Sequence, residues 1–118
     1  MTAIITEGEA DSFAKAICPE VTPSWIRALT VEQECEQWDD LKEYLYCDDI
    51  MELHHRFFFG DDKSSTPSCT GYTIGFNIVQ RYLKASKGVS FSDLADKDAK
   101  EILEVSGYDK KRTSPSGI

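Results

Sequence analysis

Glu7 and Asp11 are the residues whose type and spacing first point to chemistry. They stand four apart in Thr6-Glu7-Gly8-Glu9-Ala10-Asp11-Ser12-Phe13, so on a helix they share one face, a turn apart. Ala3, Ala10, Ala14 and Cys18 fall near that face. Two carboxylates among small side chains leave room for a metal ion or a second helix. By themselves they are half of a metal site. Catalytic zinc takes three protein ligands and keeps an open position for water, and no His-Glu-x-x-His occurs in the sequence. His54 and His55 are not an evident replacement. Adjacent residues on a helix point about 100° apart, and neither histidine has a His or carboxylate four positions on. Packing or surface positions are expected for both.

The chain that must position these groups has 118 residues, enough for one domain. Its hydrophobic fraction, 41%, supports a modest core. The formal net charge of -8 argues against nucleic acid or an anionic membrane as a partner, since both require clustered Lys and Arg. No apolar run reaches the length of a membrane span, and no basic-then-apolar leader is visible. A cytoplasmic location is therefore expected. Cys18, Cys35, Cys47 and Cys69 include no Cys-x-x-Cys pair. They read as ordinary part-buried thiols rather than a zinc or redox motif.

The hydrophobic pattern is helical almost throughout. A first helix is expected over 2–17, with Ile5, Phe13 and Ile17 on its apolar side, and Pro19 ends it. Gly8 costs that helix roughly 1 kcal/mol against Ala, which suggests close approach by another backbone or simple tolerance. Ser24–Leu29 is a short amphipathic piece. Thr30 and Gln33 form a capping box for a helix from Val31 to about Cys47. Val31, Cys35, Trp38, Leu41 and Leu45 are expected on its apolar side. Glu32, Glu34, Glu36, Asp39 and Asp40 are expected in water. The apolar run Ile50–Phe59 suits a helix or a strand, and residues 60–67 read as a mobile polar loop. The longest helix runs from Pro67 or Ser68 to Ser86, with Tyr72, Phe76, Val79 and Leu83 on a buried face widened by Ile74, Ile78 and Tyr82. It is expected to be central. Its Gly71 and Gly75 mark a place where another helix or a substrate comes close. Ser90 and Asp93 look like a cap, Asp96 is expected to cap a last helix, and Gly107 to close it. The expected fold is all-α: one compact helical domain over 1–108, followed by a disordered tail, 109–118.

Several stretches, in this order, carry a resemblance. They are Thr6–Ala14, Pro23-Ser24-Trp25-Ile26-Arg27-Ala28-Leu29, Phe57-Phe58-Phe59-Gly60 with Gly71-Tyr72-Thr73-Ile74-Gly75-Phe76-Asn77-Ile78-Val79, and Ala99–Tyr108. Together they resemble the C-terminal half of a family of predicted zinc-dependent proteases. That family has an HExxH helix followed by a second helix with an E-G-x-A motif. The resemblance covers about residues 3–108, and its most specific part is Gly-Tyr-Thr-Ile-Gly with its spacing from Phe-Phe-Gly. It implies the C-terminal lobe of a gluzincin-type metallopeptidase. Glu7 would then be the third zinc ligand. Asp11 would be placed to accept a hydrogen bond from a ligand His. In such enzymes zinc activates water and polarises the scissile carbonyl. Tyr72, a phenol donor beside the accessible backbone at Gly71 and Gly75, is a candidate to stabilise an oxyanion.

The sequence departs from that pattern where it matters most. The chain starts just before the Glu helix, so two metal ligands and the general base of the pattern are not in it. The expectation is a partial metallopeptidase domain that binds no zinc and cuts no peptide alone. A helix whose packing partner is missing exposes a small-residue face, and a homodimer through the Glu7 helix is expected from that. Two alternatives stay open: one half of a split peptidase completed by another chain, and an α-helical module that binds a peptide or protein partner.

Overall fold

The computed structural model describes residues 2–44, 51–63 and 65–109, without the side chains of Thr2 and of residues 51–54. Six α-helices follow one another: α1 (Thr2–Ile17), α2 (Val31–Leu41), α3 (Met51–Phe59), α4 (Thr70–Ala85), α5 (Phe91–Ala95) and α6 (Ala99–Ser106). One-turn 3-10 helices, Ser24–Arg27 and Lys42–Tyr44, lie before and after α2. No strand forms among the described residues. The nearest approach is an isolated antiparallel bridge, in which Asp61 and Thr66 exchange backbone hydrogen bonds of 2.9 Å. The all-α expectation therefore holds, and the ambiguous run ending at Phe59 is helix.

The central position of α4 follows from its sequence. Ile74, Ile78 and Val79 are fully buried and Tyr82 nearly so, and burying each aliphatic side chain contributes about 1.5–3 kcal/mol. Tyr72, Phe76 and Leu83 are only half-buried, so the deepest line runs through Ile74, Ile78 and Tyr82. Helices α1, α2, α3 and α6 and the Ser24–Arg27 turn all pack on α4.

Glycine decides how closely they pack. A Cβ built at Gly8 would stand 2.2 Å from the carbonyl oxygen of Gly75, and one at Gly75 would stand 2.2 Å from that of Ile4. Helices α1 and α4 thus cross with backbone against backbone. Gly71 does the same for α3, since a Cβ there would stand 3.1–3.3 Å from the Phe58 ring and the Phe57 carbonyl.

This crossing corrects the expected apolar side of α1. Ile4, Ile5, Gly8 and Ser12 face α4, whereas Phe13 and Ile17 are 49% and 61% exposed. The glycine draws α4 to its own side of the helix, so the bulkier pair is turned away. Helix α2 is also rotated from expectation. Its capping box forms, with Thr30 Oγ1 accepting from Gln33 N and Gln33 Oε1 accepting from Thr30 N. Yet Val31 is 68% exposed and Glu34 is buried beside Trp38 and Leu41. A buried carboxylate is tolerated only when donors meet it, and two of them do, as described below.

Smaller differences lie at helix ends. Ser90 caps α5 as expected, accepting from Asp93 N at 3.1 Å. Asp98, not Asp96, precedes α6, because Asp96 serves as the C-cap of α5. Gly107 closes α6 with φ +67. Asp109, assigned to the tail, accepts from the Trp38 indole at 2.6 Å. The rest of that tail, Cys47 and Leu45 lie outside the described residues. Cys18, Cys35 and Cys69 are not joined in disulfides. No helix among the described residues is long and apolar enough to cross a membrane.

Candidate functional site

The crossing at Gly8 and Gly75 sets α1 against α4 and leaves Glu7 and Asp11 on the flank of that contact, each half-buried. Asp11 is held from the chain segment that follows α1. Its Oδ1 accepts from the Trp25 indole Nε1 at 3.1 Å. That turn is in turn fastened to α4, because Thr73 Oγ1 donates to the Trp25 carbonyl at 2.9 Å and accepts from Ala28 N at 3.0 Å. Trp25 itself stays 43% exposed. The second oxygen of Asp11, Oδ2, is buried and has no hydrogen-bond partner. An unmatched buried carboxylate oxygen is costly and calls for an explanation.

Tyr72 sits one residue before Thr73, steadied by an edge-on contact with Phe58 at 4.8 Å. Its pKa is raised, first by burial and then by the negative charge of Glu7, Cys69 and Asp11 nearby. Both effects oppose formation of a phenolate, so near neutral pH the hydroxyl is a hydrogen-bond donor. The fold therefore brings Glu7, Asp11 and Tyr72 into one electrostatic neighbourhood. Cys69 joins it from the N-cap of α4, in a left-handed conformation with φ 64. On the other flank of α1, Ser12 Oγ accepts from Gln80 Nε2 at 3.0 Å, and burial raises the pKa of Glu9.

A second polar cluster lies elsewhere on α4. Glu34 accepts from Asn77 Nδ2 at 3.0 Å and from the Tyr108 hydroxyl. The fully buried Tyr108 ring meets Trp38 edge-on at 5.1 Å and has the Arg81 guanidinium over its face, 5.5 Å from the centroid. Reading by charge alone missed this cluster. Its signal was periodicity, since Glu34, Trp38 and Leu41 step by four and three and so share one face. Trp25 was also missed as a partner of Asp11. It was legible only as one aromatic in the Pro23–Leu29 stretch.

The metal-binding capacity of these residues is limited. Glu7 and Asp11 are carboxylates of the right kind, and the free Oδ2 is suited to a cation or an N–H donor. Among the described residues, however, no group of three or more His, Cys, Asp or Glu side chains is arranged to hold a metal ion. His55 is exposed, with its ring 5.2 Å from that of Phe59, and the His54 side chain lies outside the described residues. Among the described residues, Glu7 and Asp11 thus belong to no three-donor group. A family model described as predicted Zn-dependent protease (DUF2268) matches residues 1–104. No curated protein and no solved structure matches the chain.

Proposed function

The chain belongs to this family of predicted Zn-dependent proteases, and on that premise we propose that its helical domain contributes one ligand wall to a protease metal centre. Glu7 is the residue that would hold the metal. Asp11, fixed by Trp25 through Oδ1, would use Oδ2 to accept a hydrogen bond from an incoming ligand imidazole and so orient it. Tyr72 would present its hydroxyl to negative charge developing on a peptide carbonyl. The observation that carries this reading is the buried, unmatched Asp11 Oδ2 beside Glu7 and Tyr72. Zinc in such a centre supplies an activated water and a polarised carbonyl.

Because the described residues do not complete a three-ligand set, no step of hydrolysis is assigned to this chain. The remaining ligands come from outside those residues, and the chain by itself is expected not to cleave peptides. Zinc titrated into the metal-free chain, beside Glu7→Ala, tests the assignment. Weak binding that weakens further in the variant supports it. Equal affinity in the two proteins would remove Glu7 from the metal. Tight stoichiometric binding lost in the variant would show that the other ligands are already within reach, and peptide hydrolysis should then be assayed.

A further inference from the structure

We propose that Lys15 and Thr73 are positioning residues of the candidate site, which act through Trp25 to hold Asp11 as an oriented acceptor whose charge no cation cancels. The inference rests on the role given to Asp11 above and adds the residues that control it. Asp11 and Lys15 stand four apart on α1, acid before base, the order that favours an ion pair across one helical turn. Among the described residues no such pair forms. An ammonium has three donors, and the segment after α1 takes all of them. Lys15 Nζ donates to the Pro19 carbonyl at 2.8 Å, the Val21 carbonyl at 3.0 Å and Thr22 Oγ1 at 2.7 Å. Asp11 receives the neutral Trp25 indole instead, and on one oxygen only.

The indole is placed by ties on both sides of it. Lys15 fastens the chain before the turn. Thr73 fastens the turn itself, with its hydroxyl donating to the Trp25 carbonyl and accepting from Ala28 N. Ile26, next to Trp25, is buried and anchors the turn in the core. Trp25 is exposed over much of its surface, so its own burial does not account for its position. What the ties fix is the indole N–H against Asp11 Oδ1, which leaves Oδ2 for an incoming N–H donor. Thr73 is buried and its hydroxyl is committed in both directions, so it acts through Trp25 and not on a ligand.

The two tryptophans supply the test and its control, because each donates its indole N–H to an aspartate, Trp25 to Asp11 and Trp38 to Asp109. Both indole signals are followed by NMR of the isotope-labelled full chain and of Lys15→Met, Thr73→Val and Thr73→Ser, with Asp11→Ala as the reference for a released Trp25. Lys15→Met and Thr73→Val are each expected to shift the Trp25 signal toward its Asp11→Ala position and to speed its exchange with water by about tenfold, with Trp38 unmoved. Thr73→Ser keeps the hydroxyl and should match wild type. Lys15 is only half-buried, so Lys15→Met carries the test where Thr73→Val loosens the fold. A Trp25 signal unchanged in Lys15→Met, a Trp38 signal that moves as far as that of Trp25, or a Thr73→Ser protein that behaves like Thr73→Val would each overturn the proposal. Zinc affinity of the same variants tests the metal reading separately. A released indole with weaker zinc binding supports both, and a released indole with unchanged zinc binding keeps the positioning role while removing Asp11 from the metal centre.

Discussion

Glu34 and Asp11 are both acids turned toward α4, and they are finished differently. Glu34 is enclosed, receives the Asn77 amide and the Tyr108 hydroxyl, and lies in a cluster closed by Trp38 and Asp109. Asp11 is half-buried, holds the Trp25 indole with one oxygen and leaves the other unmatched. A buried polar group whose partners are all supplied serves the fold, since removing one partner leaves the other uncompensated. A buried oxygen without a protein partner, a state Asp11 Oδ2 shares with Gln37 Oε1 and Arg81 Nη1, is open to a water or an incoming donor. The Glu34 cluster is thus a structural tie between α2, α4 and the end of α6. The Asp11 cluster is the candidate site.

The widest break in this comparison comes from removing the geometry behind the Asp11 side. Gly75→Ala places a methyl carbon where the Ile4 carbonyl oxygen already stands. It should force α1 off α4 and cost about 3 kcal/mol or more, seen as a large fall in Tm. Tyr108→Phe and Asp11→Asn sharpen the contrast at smaller scale. Tyr108→Phe strips a donor from buried Glu34 and is expected to cost about 1–3 kcal/mol by denaturant unfolding. Asp11→Asn keeps an acceptor for Trp25 and should cost under about 1 kcal/mol, while weakening any metal bound at Glu7. Equal losses in the two variants would mean that Asp11 is as structural as Glu34. The smallest effect is electrostatic. Glu7→Gln removes one of the negative charges that raise the Tyr72 pKa, so the phenol should titrate closer to its ordinary value, followed by NMR of ring-labelled tyrosine. The sign is fixed because a neighbouring anion opposes a second one.

Much of the fold was legible in advance because helical period, caps and glycines are local signals. The Thr30 and Gln33 box, the Ser90 cap, the Gly107 stop, the bounds of α1 and the C-terminal end of α4 were all readable before any tertiary contact, whereas α4 starts at Thr70, two or three residues later than its pattern suggested. Gly8, Gly71 and Gly75 were readable as places of close approach, but not what would approach them. Glu34 was misplaced because charge was allowed to outweigh its position on the Trp38 face. Glu7, Asp11 and Tyr72 were singled out one by one. Their shared neighbourhood was not visible, since Tyr72 lies more than 60 positions further along the chain.

By itself, the sequence determined that this chain is a helical domain with α4 as its apolar centre, because hydrophobic spacing and capping act within a few residues of each other. Tertiary structure alone decided which side of α1 is buried, which acid is saturated and which keeps a free oxygen. Those outcomes depend on how closely two backbones can approach and on which donors arrive from distant helices. Both are settled at the Gly8–Gly75 crossing and by the Thr73 and Trp25 bonds that fasten the adjoining turn beside it.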